Sequence, residues 1–559
     1  MSLSRFRFLV LGSGLVALAS VSVIADASEP VSRRLTLLHT SDIHGQVLPV
    51  DDTRGDAYPG SLAQVATLVE AIRAEVEGEV LVLDSGDAIQ GTPFEQLAHL
   101  RWGEPSPMVA AMNRIGHAAM AIGNHEFNFG LEVLRRAEAQ ADFPFLSANV
   151  LDEKTGEPAF PPYLVRDLDG LRVGLLGLTT PNIPGWELPE NYRGLVFADP
   201  DEAARRWLPV LKDEEGCDLV VVIAHTGFER DPVTGEPSGT GHEDFGWRIA
   251  QVPGVDVLLT GHSHRDIAPV ALGGVIVSQP SSRARRLSRI DLELEPVGEG
   301  WRIASWRGEN LRTAQVEPHP WFAERFADLH RRVVESLDEP LTTVASGLSV
   351  AGCRLLDCAA LDLIHQVQLE ASGADLSLAA ILSNRTPDLE PGPLTWRWVH
   401  ALYVYPNTLQ RLEVTGAQVK DLLEHTARFY DGLECSADAG CTVVTDPSIP
   451  HYNVDSMAGV TYRIDPTRPE GDRVRDLRHD GRPLDPEAVF SLVVNSYRAS
   501  GGGMFPHLAD APVQWRTSVE MTDLLGDWLA RQQPWRPTVD GNWSLAPDLS
   551  EREAAASSY

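Results

Sequence analysis

Positive charge is in short supply. Against 79 Asp and Glu, the 559-residue chain carries 47 Lys and Arg, for a net charge of −32. A surface of that sign repels polyanions, and tight binding to a long nucleic acid needs many Lys/Arg contacts to phosphate, so the balance argues against such a partner. A small phosphorylated ligand is not excluded, provided local cations offset the field; acidity also serves solubility alone. Cysteine is scarce as well, five in all, and no spacing matches a zinc finger. Cys353 with Cys358, and Cys435 with Cys441, are close enough in sequence for local bridges, while Cys217, just before an apolar run, reads as a buried edge residue. Long apolar stretches are missing beyond the first 30 residues, so the mature protein is expected to be soluble and free of the membrane. No internal repeat is visible, and a hydrophobic content of 43% argues against large-scale disorder.

The N-terminus is the exception to that apolar scarcity. Arg5 and Arg7 precede an apolar stretch from Phe8 to Ile24, and Ala25-Asp26-Ala27 fits a cleavage site. Residues 1–27 are therefore expected to be a removable signal peptide and the protein periplasmic or secreted. Gly12, Ser13, Gly14, Ser20 and Ser22 would make the stretch a poor anchor, and no cysteine follows it for lipid attachment.

From Leu35 to about Glu295, short apolar runs alternate with helical patterns, which predicts an α/β layer architecture. Leu35–Leu38, Val80–Leu83, Val173–Leu178, Leu219–Ala224, Val255–Leu259 and Val275–Ser278 read as buried strands. Between the first two, Ser61 is a plausible N-cap, Leu62, Val65, Val69, Ile72 and Val76 form one helical face, and Gly78 is expected to end the helix. Residues 316–340 read as a helix linking two domains. A second α/β pattern follows, with a helix starting at Thr415-Gly416-Ala417 and an apolar strand Val489–Val494 running into Asn495–Gly503.

Polar residues gather at the strand ends: Asp42 and His44, Asp87, Asn124, His225, then His262 and His264. In open α/β sheets these ends are where side chains converge. Carboxylates, imidazoles and one amide suit two divalent cations with mixed N/O shells, Mn²⁺, Zn²⁺, Fe²⁺ or Co²⁺. Two such ions roughly 3.5–4 Å apart can hold a phosphate, activate a water, and stabilise attacking and leaving oxygens. Extended backbone would point the i, i+2 pairs Asp42/His44 and His262/His264 the same way. His99, His117, His242 and His365 match no such pattern and read as surface or core.

The order Asp-x-His, Gly-Asp, Gly-Asn-His-Glu, His-x-Gly, Gly-His-x-His resembles the calcineurin-like metallophosphoesterases. The strings GDAIQGTP, GNHEFNFG, SANV, YPNTLQRLEVTGAQVKDLLE and VVNSYRASGGGMFP look like the secreted 5′-nucleotidase family over nearly all of the mature chain. The resemblance implies a four-layer metallophosphoesterase domain over 33–312, a linker helix over 313–340, a nucleotide-binding α/β domain over 341–546 and a frayed tail over 547–559. It implies that Asp42, His44, Asp87 and His264 bind one metal and that Asp87, Asn124, His225 and His262 bind the other. His125 would sit over the phosphate. Its usual partner is an acid, but Asn128 stands there, and an amide has no charge with which to hold His125 protonated. Tyr452 and Tyr497 would sandwich the base, since stacking tolerates different nucleosides. Gly501, Gly502 and Gly503 would let backbone approach the ligand, and Arg385 is a candidate phosphate contact.

Asn128, and Gly503 in place of an aspartate, look more like the 2′,3′-cyclic-nucleotide 2′-phosphodiesterase/3′-nucleotidase branch. Small nucleotides are the expected partners. The alternatives are a 5′-nucleotidase/UDP-sugar hydrolase, a di-manganese thiosulfohydrolase, which has no need of an aromatic clamp, and a nucleotide- or metal-binding surface protein without turnover.

Overall fold

The computed structural model describes residues 32–238, 243–298, 300–436 and 440–546. The expected leader, the tail and His242 lie outside the described residues. So do the side chains of Cys435 and Cys441, although the hairpin register sets these two residues opposite each other.

Strict alternation along the N-terminal strands builds a double-sided core. One six-stranded sheet runs in the order Gly300–Arg312, Arg286–Val297, Arg33–Thr40, Glu79–Asp84, His117–Ala121, Phe145–Leu146. The other runs Asp266–Leu272, Val275–Pro280, Val257–Thr260, Leu219–His225, Leu171–Thr179, Tyr163–Leu168. Leu35, Leu37, Leu81 and Leu83 of the first sheet meet Val173, Leu175, Val221, Ile223 and Leu259 of the second in one apolar layer. The intervening residues Leu38 and Val82 face outward onto Leu62, Val65, Val69 and Ile72 of the helix Leu62–Glu75. Val220, Val222 and Leu258 face outward on the other side, onto Ala204, Leu208 and Ile249. Helix, sheet, sheet and helix thus form four layers, because each strand residue alternates between two buried faces.

Ser61 caps the helix Leu62–Glu75 as expected, its Oγ accepting from the Gln64 N–H at 3.3 Å. The helix stops at the extended Val76, two residues short of Gly78. The expected 316–340 helix is shorter too, spanning Pro320–Leu337 behind an N-cap at His319. It buries Phe322, Phe326, Val333 and Leu337 in the same outer layer as Leu62 and Val65, so it belongs physically to the N-terminal half.

The C-terminal half is built on a five-stranded sheet, Asp455–Ala458, Leu376–Ala380, Val489–Asn495, Leu409–Thr415, Val513–Arg516. Helix Gly416–Ala427 starts with a reciprocal capping box between Thr415 and Gln418. Cys353 and Cys358 are disulfide-bonded, and Cys217 is free and buried. His117, His99 and His365 are core residues; His365 is held between the hydroxyls of Ser377 and Ser456, both at 2.9 Å, and burial lowers its pKa to about 3. Among the described residues no helix is long and apolar enough to cross a membrane.

Phe326 is 1% exposed and meets Phe94 edge-on at 5.7 Å. Phe326→Ala should therefore cost about 3–5 kcal/mol, read as a lower urea midpoint for the N-terminal unfolding transition.

Candidate metal centre and nucleotide cleft

Five strands of the two sheets, parallel to their neighbours within each sheet, carry the site at their C-terminal ends. Asp42 follows Thr40, Asp87 follows Asp84, Asn124 follows Ala121, and His262 follows Thr260, while His225 is itself the last residue of its strand. The loops do not continue the strands. Asp42, His44, Asp87, His262 and His264 all have left-handed backbone, with φ of 52°, 50°, 59°, 70° and 56°. The extended geometry expected for the i, i+2 pairs is therefore wrong, because the chain reverses as soon as it leaves each sheet. Hydrogen bonds hold the reversals: the Asp42 N–H donates to Gly86 O, the His44 N–H to Asp87 O and the Arg283 N–H to Asp42 O, at 2.9, 2.9 and 2.7 Å.

Glu126 locks two of these loops together. Its buried carboxylate accepts the backbone N–H groups of Asp87, Ala88, Ile89 and Gly123 at 2.8, 2.7, 3.3 and 2.7 Å. Gly123 is needed there, since a Cβ would lie 2.2 Å from Asp87 Oδ1.

The predicted ligands fall into two groups. Asp42, His44 and His264 offer ligand atoms within 4.8 Å of one another, and so do Asp87, His225 and His262. Asn124 Oδ1 lies 3.0 Å from both His225 Nε2 and His262 Nδ1. His225 donates through Nδ1 to Ser85 O at 2.6 Å and His44 through Nδ1 to Gln90 Oε1 at 3.0 Å, which leaves each Nε2 lone pair facing the site. His44 Nε2 then points at His264 Nε2 across 3.0 Å. Two lone pairs at that distance repel unless a cation lies between them, and the spacing suits two nitrogens each ~2.0–2.1 Å from one ion.

Electrostatics agree with that fit. Burial works to raise the Asp87 carboxyl, but His225 and His125 override it and hold it well below the usual range. Burial also works against charge on His225, and Asp87 overcomes it, lifting its pKa to about 10. Burial and the neighbouring His264 lower His44 to about 3, so it keeps its lone pair. A field that would hold a proton on His225 also holds a divalent cation.

His125 stands beside this centre, its Nε2 3.9 Å from Asp87 Oδ2. Its Nδ1 is 2.6 Å from Asn128 Oδ1. The Asn128 amide in turn donates to Glu187 Oε1, and Glu187 Oε2 accepts from Asn191 at 2.9 Å. Burial raises the Glu187 pKa, while Asn191, His125 and Asn128 hold it down. The sequence left this corner without an acid; the fold supplies one from 59 residues away. Trp186, next to Glu187, packs on the His262 ring at 5.2 Å.

Of the proposed nucleotide contacts, Tyr497 is 38% exposed, and its short helix lies against the one carrying Trp186. Tyr452 is half-buried against the C-terminal core. Both are tied to Arg498, which is buried, pairs through two nitrogens with Asp455 at 2.8 Å, and donates to Tyr452 O at 2.6 Å. Its guanidinium also lies 5.2 Å from the Tyr497 ring. A Cβ on Gly502 would come within 2.5 Å of the Tyr497 ring, so this glycine makes room for the tyrosine rather than for a ligand. Gly501 and Gly503 both have positive φ, 92° and 75°. Arg385 is half-exposed, its Nη1 3.8 Å from Asp51, on the wall of a cavity of about 230 Å³ between the two halves. Arg283, Tyr405 and His451 line the same cavity. Glu126 was legible in its motif but not singled out; Glu187, Arg498 and Asp455 carry no local signal of their role.

Residues 35–266 match the family model of the calcineurin-like phosphoesterases, and residues 333–510 match that of the 5′-nucleotidase C-terminal domain. The fold and this donor set define a metallophosphoesterase, a hydrolase that uses divalent metal. More particularly, the chain belongs to the calcineurin-like phosphoesterases that carry a 5′-nucleotidase C-terminal domain. It is 29% identical to a 2′,3′-cyclic-nucleotide 2′-phosphodiesterase/3′-nucleotidase of Salmonella typhimurium, over 95% of this chain and 91% of that one. It is 26% identical to a 5′-nucleotidase of Vibrio cholerae, over 94% and 97%. Among solved structures, a putative 5′-nucleotidase from Staphylococcus aureus, in complex with alpha-ketoglutarate, superposes with a TM-score of 0.79 at 27% identity, covering 92% of this chain and 99% of that one.

Asp87→Asn removes one of the two buried carboxylates among the candidate ligands. Phosphatase activity should vanish and bound metal, measured by elemental analysis, should fall, while the melting curve stays cooperative.

Proposed function

We propose that the protein is an exported nucleotide phosphohydrolase that opens 2′,3′-cyclic nucleotides and then releases phosphate from 3′-nucleotides. The observation that carries the reading is the juxtaposition of the two three-ligand clusters with His125, beside a cleft to which the C-terminal half brings exposed aromatic rings. Asp42, His44, Asp87 and His264 would hold one cation and Asp87, Asn124, His225 and His262 the other. When bound, the cations supply Lewis-acid stabilisation of charge on the phosphoryl oxygens. His125, with Nε2 3.9 Å from Asp87 Oδ2, would give a hydrogen bond or a proton to an oxygen of the phosphate. Tyr497, with Tyr452 beside Arg498, would take the base by stacking.

The choice of cyclic and 3′-nucleotides is supported by the Salmonella relative's activity, by the amide at Asn128 and by Gly503. The strained five-membered cyclic phosphate would open with less help from a charged histidine. A 5′-nucleotidase is the second reading, supported by the Vibrio relative. The protein with Mn²⁺ should hydrolyse 2′,3′-cyclic AMP and 3′-AMP with higher kcat/KM than 5′-AMP. A preference for 5′-AMP of tenfold or more, about 1.4 kcal/mol in the barrier, would replace this reading with the second.

Tyr497→Ala should raise KM for nucleotides by the equivalent of about 1–3 kcal/mol of stacking. Turnover of bis-p-nitrophenyl phosphate, which has no base, should change much less. Equal losses on both substrates would make Tyr497 a structural residue.

A further inference from the structure

The corner behind His125 holds a three-member chain that the resemblance did not anticipate. His125 Nδ1 meets Asn128 Oδ1, and the Asn128 amide nitrogen meets Glu187 Oε1. An amide can be turned either way round, so something must choose which end faces the histidine. The choice can be traced outward. The Asn191 amide nitrogen donates to the backbone carbonyl of Asn128 at 2.9 Å, an acceptor that has no alternative role. The same nitrogen donates to Glu187 Oε2, which fixes the plane of that carboxylate. Oε1 is thereby turned toward Asn128 and can only receive the NH₂ end of its amide.

We infer that Glu187 is a positioning residue for His125, acting through Asn128: by taking the amide hydrogens it presents Oδ1 to the ring. An acceptor at 2.6 Å requires hydrogen on Nδ1, and the hydrogen bond at one ring nitrogen determines the state of the other. Nε2, 3.9 Å from Asp87 Oδ2, is then the nitrogen left to face the phosphate, and it can give a proton there when the ring carries hydrogen on both nitrogens, a state that an acceptor at Nδ1 allows and an NH₂ group turned to Nδ1 does not. Glu187 also places a carboxylate one amide beyond the histidine, where an aspartate at 128 would place it in direct contact. The two positions are consequently coupled. An aspartate at 128 would set its carboxylate against that of Glu187, and like charges in a buried corner oppose each other. The corner accepts one acid and one amide, in either order, but not two acids.

This inference rests on the reading of His125 as the group beside the phosphate. The test uses the full-length protein in its metal-loaded form, Mn²⁺ for kinetics and diamagnetic Zn²⁺ for NMR. Glu187→Gln offers NH₂ to Asn128 and lets the amide turn. It should lower kcat for 2′,3′-cyclic AMP by about 10- to 100-fold, the range for losing a partner that orients a histidine, with KM within about twofold, as expected when only the barrier is affected. In ¹⁵N-histidine spectra, the His125 signal, assigned by its absence in His125→Gln, should move from the Nδ1–H pattern toward the Nε2–H pattern. Asn128→Asp alone should lose activity, and Asn128→Asp with Glu187→Gln should recover at least about tenfold over it, a coupling expected only of residues in contact. An unchanged kcat and an unchanged His125 signal in Glu187→Gln overturn the inference, as does a double variant whose loss is the product of the two single losses. Should Glu187→Gln fail to fold, the comparison of the double variant with Asn128→Asp decides, and a pair that does not recover overturns it. His125→Ala separates the two levels of argument. A loss of about 10²-fold or more there, with Glu187→Gln unaffected, removes only the role of Glu187; full activity in His125→Ala removes the placement of His125 as well.

Discussion

The buried carboxylate of Glu126 accepts four backbone N–H groups from two separate loops, and the geometry of the metal centre depends on it. A carboxylate in a dry interior is costly unless its lone pairs are filled, and here peptide dipoles fill them. The loop after Glu79–Asp84 and the loop after His117–Ala121 are therefore fixed to each other, not merely to their own strands. Asp87 and Asn124 owe their proximity to that bond set, and the His125 N–H completes it by donating to Asp87 Oδ1 at 2.8 Å.

Such a constraint is needed because the ligand loops are strained. Five of the seven predicted ligands have left-handed backbone, which costs non-glycine residues roughly 1–2 kcal/mol each. Strain of this kind persists only where the surroundings over-determine it. The two stacked sheets provide that rigidity, with Leu37, Leu83, Ile223 and Leu259 sealed in the layer just beneath the loops. The convergence of the candidate ligands was legible in the sequence because each sits at or a few residues beyond the end of a short apolar run, and the runs announce the strands. Their backbone was not legible: nothing in Asp-Ile-His or His-Ser-His distinguishes a strand continuing from a strand turning back.

The same limit separates what could be read around the site from what could not. Asn128 is three residues from His125, and its place beside the ring was implied by the family resemblance. Glu187 reaches the same corner from just past a short helix, Ile183–Trp186, which is anchored by Ile183 buried in the outer apolar layer. In the C-terminal half, Tyr497 and the glycines stand in one run, but the buried Asp455 that holds Arg498 comes from another strand. The glycines illustrate the difference: an open backbone was expected to admit ligand, whereas Gly502 admits a ring of its own chain. Local patterns report which residues are exposed at strand ends; partners assembled across the fold are reported only by the fold.

The charge of the molecule closes the argument about substrate. With a net charge of −32, the protein repels a nucleotide at long range, and screening confines that repulsion to about 8 Å at physiological salt. Within that distance the outcome is set by local charge. Without cations, Asp42 and Asp87 would add to the repulsion at the point where phosphate must sit. With divalent cations bound, the same carboxylates become the means of fixing positive charge there, while Arg283 and Arg385 line the adjoining cleft. On the proposed function, the metal is then a condition for phosphate to approach as well as for its transfer, and an acidic surface is compatible with an anionic substrate because recognition is confined to one short-range patch.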